Sequence, residues 1–407
     1  MSDQARWLSL PEALEAIKNS VSPRPEQTQV PLTAALDNVA AQVITAPLNV
    51  PGYDNSAMDG YAVIAADANA GNSLRVIGEA FAGHPFSGEV TPGTCVRIMT
   101  GAMLPAGADA VIMQEQTDRT EQGIHCQAAL CEGDNIRLAG SDLAAGETII
   151  RAGQRLRPVD IGLLASMGIA EVTVNKPLRV ATFSTGDELV PPGQPLKSGQ
   201  IYDSNRYTIQ AMLSRLNIEV IDLGLIRDDP EAIAAAFKKA MSQADVIVTS
   251  AGVSIGDADY TKDVMAQLGE INFWKIAMKP GKPFAFGKLG ESWFCGLPGN
   301  PVAAVVTLNQ IVQPLLRYLA GEDWPEQTMY RAVASKPIRK KPGRADFQRG
   351  RLTQAGDQLE ASPVGSQSSG VLSSVANANC FILLEQDRGN VAAGETVTVL
   401  PFDRLLQ

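Results

Sequence analysis

LRVATFSTGDEL, residues 178–189, decides how this chain is read. A β-branched and apolar run ends in Ser184-Thr185-Gly186 and passes at once into two acids, Asp187 and Glu188. That is the signature of a buried strand leaving through a small turn. Beyond it the pattern alternates. SNRYTIQAMLSRL reads as a helix, EVIDLGLI as a strand and PEAIAAAFKKAMSQ as a helix. DVIVTSA follows as a strand and TKDVMAQLG as a helix. INFWKIAM, KPFAFGKL and SWFCGL then precede the long helix NPVAAVVTLNQIVQPLLRYLAG. Strands alternating with helices imply right-handed crossovers and a mostly parallel sheet. The spacing predicts an α/β domain over residues 177–327.

The flanking segments have other periods. LSLPEALEAIKNS (8–20), PLTAALDNVAAQVI (31–44) and VDIGLLASMG (159–168) show helical spacing. They predict a helical, linking domain formed by 1–50 with 143–176. Short β-type runs such as YAVIA, LRVIG and CVRIM, cut by Gly, Pro and Asp, predict a small β-rich domain over 51–142. Residues 328–407 lose the helices, and CFILLE and ETVTVLP between turns predict a compact, barrel-like β domain. The fold class is therefore α/β multidomain.

Composition narrows the chemistry. The chain has 407 residues, 45% hydrophobic and 19% charged, the make-up of an ordinary globular protein. No apolar run approaches the ~18 residues of a membrane helix, and the N-terminus does not resemble a signal peptide. A cytoplasmic protein is expected. Five scattered cysteines without a C-x-x-C pair suit reduced, structural thiols. Two histidines argue against a His/Cys zinc site and a Ser-His-Asp triad. A net charge of −10 argues against bulk nucleic-acid binding. Catalysis is left to carboxylates, lysines, hydroxyls, backbone N–H groups or an oxygen-liganded cation.

In an open parallel sheet, ligands bind outside the carboxyl ends of the strands. Three exits there look alike. One is Ser184-Thr185-Gly186, and the next is Ser250-Ala251-Gly252, which runs on to Asp257 and Asp259. The third is GLPGNP, which leaves through Gly296, Gly299 and Asn300, with Pro301 able to take the first helical position. Small turns and helix starts point free N–H groups at an anion, although ordinary capping turns have the same composition. Asp187, Glu188, Asp228, Asp257 and Asp259 lie just past strand ends. Carboxylates facing an anion repel it unless a cation such as Mg²⁺ lies between them; helix capping is the alternative use. KIAMKPGKPFAFGK (275–288) carries Lys275, Lys279, Lys282 and Lys288 and no acid, a clamp for an oxyanion or else a solvated edge. KPIRKKPGRADFQRGR (336–351) has seven Lys/Arg and one acid, and Arg344 is its candidate for a second oxyanion contact. Asp59 and Thr100 sit in turns of the β-rich segment and are unremarkable alone.

Taken together, PGYDNSAMDGYAV, RIMTGA, FSTGDEL, GQIYDSNR, LGLIRDD, GVSIGDADYTKD, KPGKPFAFG and GLPGNPV resemble the MoeA family, the molybdopterin molybdenumtransferases related to the gephyrin E domain. These segments run in order from about residue 51 to residue 301, and with their flanks the resemblance spans nearly the whole chain. It implies an enzyme that inserts molybdate into adenylylated molybdopterin and releases AMP with Mg²⁺. It implies a homodimer whose site lies between the sheet domain of one subunit and the small β domain of the other. Asp59, Thr100, Glu188, Asp228 and Asp259 would then be catalytic, with Glu188, Asp228 and Asp259 as metal ligands. Ser184, Thr185, Gly186, Ser250, Gly252, Lys275, Lys279, Pro298, Gly299, Pro301, Asp142 and Arg344 would hold substrate. A molybdopterin adenylyltransferase and cofactor-delivery proteins are the implied partners. Two departures stand out: Ala251 occupies the place of an expected glycine, and NIRLAGSD before Asp142 keeps only Arg137 where more arginines are expected. An adenylyltransferase or a non-catalytic pterin-binding scaffold is the rival reading.

Overall fold

The computed structural model describes residues 7–23, 26–250, 264 and 267–406. Its centre is a six-stranded sheet of β1 (Arg179–Thr185), β2 (Glu219–Ile226), β3 (Val246–Ser250), β4 (Gly269–Lys275), β5 (Pro283–Leu289) and β6 (Ser292–Leu297). The order is β2-β1-β3-β6-β5-β4. β2, β1, β3 and β6 are parallel, and β5 and β4 are antiparallel additions at one edge. Because successive side chains alternate in direction, each strand feeds two cores. Val180, Val246, Val248 and Leu297 pack with Ile209, Met212 and Leu213 of the helix Asn205–Ser214. Ala181, Phe183, Ile247 and Phe294 pack with Ile233, Phe237 and Ala240 of the helix Pro230–Gln243. Cover on both faces explains why the strands read as near-continuous apolar runs.

The helix Pro301–Thr307, which follows β6, passes through a π-turn, Leu308–Val312, into Gln313–Leu319. The C-terminal strands Ala345–Ala355, Gln358–Pro363, Tyr330–Ala334, Thr396–Pro401 and Cys380–Leu384 pair in that order, and the last pairs back to the first, closing a five-stranded barrel. The short strand Met278–Lys279 joins this barrel through Ala345 and Asp346. The β-rich segment forms its own six-stranded sheet around Gly60–Val63 and Thr94–Ile98. Among the described residues, no helix is long and apolar enough to cross a membrane.

One predicted element is absent. Residues 31–44 are not a helix: a single 3₁₀ turn, Leu32–Ala34, is followed by isolated bridges Val39–Arg155 and Ala40–Val174. Asp37 has φ 65°, a left-handed conformation that interrupts a right-handed helix. The N–H groups of Asp37, Ala40 and Ala41 are taken by the carbonyls of Leu156, Gln154 and Thr173 instead. The expected helices at 8–20 and 159–168 are present as Leu10–Ser20 and Pro158–Ser166. Leu10–Ser20 starts with a capping box between Ser9 and Glu12.

Four of the five cysteines are buried and none is in a disulfide. Burial pushes the Cys95 and Cys380 thiols up to about 12, so they stay protonated and inert. A buried carboxylate ties two distant segments together. Glu322 accepts from Arg155 Nε and Nη2 at 3.1 and 2.5 Å and from Arg317 Nε and Nη2 at 3.0 and 2.7 Å. Arg404 and Asp37 form a bidentate pair beside it.

Candidate functional site

The three exits meet at the carboxyl edge of the sheet. Ser184 and Ser250 are direct cross-strand partners, and Leu297 is the partner of Ser250 on its other side. All three side chains therefore point to the face covered by the helix Asn205–Ser214. After Ser184 and the buried Thr185, Gly186 has φ 148°, and a Cβ there would lie 2.7 Å from the Glu188 carboxylate. Gly186 lets Glu188 fold back over the turn. Asp187 Oδ1 accepts the Asp228 N–H at 3.4 Å, so the acids that follow β1 and β2 are neighbours, all exposed. The helix cap is supplied by Asp229, which accepts from Ala232 N at 2.9 Å. Among the described residues, no three acidic or other metal-binding side chains surround one position. Asp259, the third expected ligand, lies outside the described residues, as do Asp257, Ala251 and Gly252.

The turn that ties these exits together, 203–206, belongs to the segment GQIYDSNR. Asn205 Nδ2 donates to Ser250 Oγ at 2.7 Å and to the Gly299 carbonyl at 2.8 Å. Ser184 Oγ donates to Asp203 Oδ1 at 3.2 Å. Arg206, 7% exposed, donates to Asp203 at 3.1 Å and to Asp222 at 2.6 Å. Sequence reasoning matched this segment to a family motif but assigned none of its residues. Three polar side chains at a helix start were the available signal.

The lysine run does not form one clamp. Lys275 pairs with Pro283, which places both at the carboxyl edge. Lys279 Nζ lies 3.2 Å from Asp346, a residue 3% exposed. Lys282 lies over the Trp7 ring, 4.8 Å from its centroid. Lys288 pairs with Glu291 near the far end of β5, about 17 Å away at ~3.3 Å per residue. Antiparallel β5 carries its own lysine to the wrong edge. That leaves Lys275 and Lys279 for an oxyanion, with Arg344 next to Ala345, the partner of Met278.

Pro298 is buried, Gly299 is exposed, and Pro301 occupies the first turn of its helix. The Val302 N–H donates to the Ser369 carbonyl of the barrel. Arg349, fully buried, holds the loop that carries Ser369 through the carbonyls of Ser366 and Ser368, both at 3.3 Å, and through Ser374 Oγ at 3.1 Å. Neither Arg349 nor Ser369 was singled out from sequence, where Arg349 was one cation among seven.

In the small β domain, Asp59 and Thr100 form one unit. Asp59 Oδ1 accepts from Thr100 Oγ1 at 2.6 Å and from Thr100 N at 2.8 Å. Arg97 stands behind them, donating to the Gly60 carbonyl at 2.9 Å and to Gln114 Oε1 at 2.6 Å. The Thr100 hydroxyl, then its backbone N–H, with Arg97 nearby, hold the Asp59 carboxyl below its ordinary range. A depressed carboxyl stays charged through neutral pH and takes a proton only as pH falls through its folded value. Thr100→Ala removes the largest cause. The acid limb of kcat/KM is then expected to move up in pH, toward the ordinary carboxyl range. A limb that stays put would separate Asp59 ionisation from turnover. Asp142 is exposed and its N–H donates to Val50 O. Among the described residues, no hydrogen bond joins Asp59, Thr100 or Asp142 to the sheet edge within one chain.

Comparison with known proteins follows this architecture. Residues 8–168 match the MoeA N-terminal region (domain I and II), 181–318 a probable molybdopterin binding domain, and 331–402 the MoeA C-terminal region (domain IV). The chain is 51% identical over 389 residues to the molybdopterin molybdenumtransferase of Haemophilus influenzae, covering 94% of this chain and 96% of the relative. A Nostoc sp. molybdopterin molybdenumtransferase is 36% identical, covering 91% and 88%. A solved MoeA structure from Pyrococcus horikoshii superposes with a TM-score of 0.78 at 33% identity, covering 98% of this chain and 100% of that one.

Proposed function

We infer from one premise, that this chain belongs to the MoeA family, that it is a molybdopterin molybdenumtransferase of molybdenum cofactor biosynthesis. The observation that carries the reading is 51% identity over 389 residues, 94% of the chain. The reaction proposed is insertion of molybdate into adenylylated molybdopterin, with release of AMP. The chemistry proposed is positioning and electrostatic stabilisation, with no covalent nucleophile assigned among the described residues. Backbone at Gly186 and Gly299 admits the ligand closely, Lys275 and Lys279 stabilise oxyanion charge, and the acids hold a cation. Mg²⁺ needs only one or two carboxylates together with substrate phosphates. Glu188 and Asp228 offer such hard oxygen donors, and Asp259 would be a third. When bound, the ion supplies charge neutralisation between phosphate and carboxylate.

The test is AMP release from adenylylated molybdopterin by the purified protein, with and without molybdate and Mg²⁺. Release that needs both supports the reading. ATP consumption would point to an adenylyltransferase, and tight substrate binding without release to a scaffold.

Among the described residues no hydrogen bond joins Asp59 or Thr100 to the sheet edge, and this supports a site completed by a second copy of the chain. An Asp59→Asn chain and an Asp228→Ala chain, each strongly impaired alone at limiting Mg²⁺, are then expected to restore about a quarter of wild-type activity there when co-expressed, since half the dimers are mixed and each has one intact site. No recovery would place both residues on one subunit's site. We also propose residues 1–50 with 143–176, 51–142, 177–327 and 328–407 as the domains, and a cytoplasmic location.

A further inference from the structure

We propose that Asn205 is a positioning residue of this site: its amide locks the exit of β3 to the exit of β6 and turns the Ser250 hydroxyl proton toward the ligand. What binds there rests on the function proposed above; the positioning rests on geometry alone. The Asn205 nitrogen is 2.8 Å from the Gly299 carbonyl, which can only accept, so the donor end of the amide faces it. That same nitrogen is 2.7 Å from Ser250 Oγ, which therefore accepts and keeps its own proton to give. Ser184, directly across the strands, has the opposite sense. It gives its proton to the Asp203 carboxylate, which is ion-paired with Arg206. Of two adjacent serines at the sheet edge, only Ser250 presents a donor, and only a donor suits an anionic oxygen.

The turn has little freedom to move. The Arg206 guanidinium is held between Asp203 and Asp222, and the Arg206 backbone N–H donates to Asp203 Oδ1 at 3.2 Å. Asn205, at the first helical position, is therefore fixed by its neighbours rather than by its own contacts. This makes Asn205, unlike Arg206, a residue that can be changed without dismantling the turn.

Two substitutions separate orientation from structure. Asn205→Asp is nearly isosteric and places an acid in the first turn of a helix, where the dipole favours it. Its carboxylate cannot donate, so Ser250 must hand it the proton, and Gly299 loses its donor. Asn205→Ala removes the amide but leaves the hydroxyl able to turn. Losing one hydrogen bond to a charged oxygen corresponds to about tenfold to a hundredfold in affinity. The expected order for AMP binding, measured by calorimetry, is wild type, then Ala about tenfold weaker, then Asp about a hundredfold weaker, with the Asp melting temperature no lower than that of Ala. Amide hydrogen exchange at residues 296–301 is expected to rise in both. Asp binding AMP as well as Ala does, or unchanged exchange at 296–301 in both variants, would overturn the proposal. A wild-type chain that fails to bind AMP, while exchange rises in the variants, would leave the positioning standing and bring down the proposed function.

Discussion

Asp228→Ala is expected to keep the wild-type melting temperature and to release AMP roughly a hundredfold more slowly at limiting Mg²⁺, the scale of losing a group that holds a metal. The position is exposed, where substitutions usually cost less than ~0.5 kcal/mol. Alanine keeps the backbone N–H that donates to Asp187, and the helix that follows is capped by Asp229. What is lost is one oxygen donor at an edge where Lys275 and the free turns otherwise favour anions. A cation held by fewer carboxylates binds more weakly, so raising Mg²⁺ should recover part of the rate. A Mg²⁺ titration of AMP release measures this. Wild-type turnover at limiting Mg²⁺ would remove Asp228 from the site.

Glu322→Ala should be the most damaging single change to stability, at about 3–5 kcal/mol, the cost of removing one partner from a buried ion pair. Glu322 is 6% exposed and is the shared acceptor of Arg155 and Arg317, which belong to different parts of the chain. Truncation leaves two guanidinium groups facing each other without their acid. Urea unfolding, read with the slope as well as the midpoint, would show the loss. Replacing Arg155 by Met, Arg317 by Met and Glu322 by Leu together is expected to recover most of it, because charge is then removed along with its partners. A Glu322→Ala chain as stable as wild type would mean that solvent reaches the pair in solution.

How much of this was legible beforehand depended on range. The strand–helix alternation of 178–250 was legible because burial imposes a period on neighbouring residues; the helix expected over TKDVMAQLG falls largely outside the described residues. The turns were legible because glycine and proline act on their own backbone. The helix expected at 31–44 failed for the same reason in reverse. Its alanines and leucines have helical spacing, but the N–H groups of Asp37, Ala40 and Ala41 find carbonyls more than a hundred residues away. A capping or turn residue is judged locally, and a pairing with residues 154–173 is not.

The site divides along the same line. The sequence alone determined that a parallel sheet ends in three small, polar exits, that acids follow them, and that lysines are close by in the chain. It also carried the family motifs. Only the tertiary structure decided which of those groups meet. Thr100 reaches Asp59 across 41 residues, Asn205 joins Ser250 to Gly299 across 45 and 94, and Lys288 is sent to the opposite edge by a strand that runs the other way. The physical reason is that backbone propensity and hydrophobic period are properties of a few consecutive residues. A hydrogen bond between two strand exits depends on register and strand direction, and these are set when the sheet closes over its core.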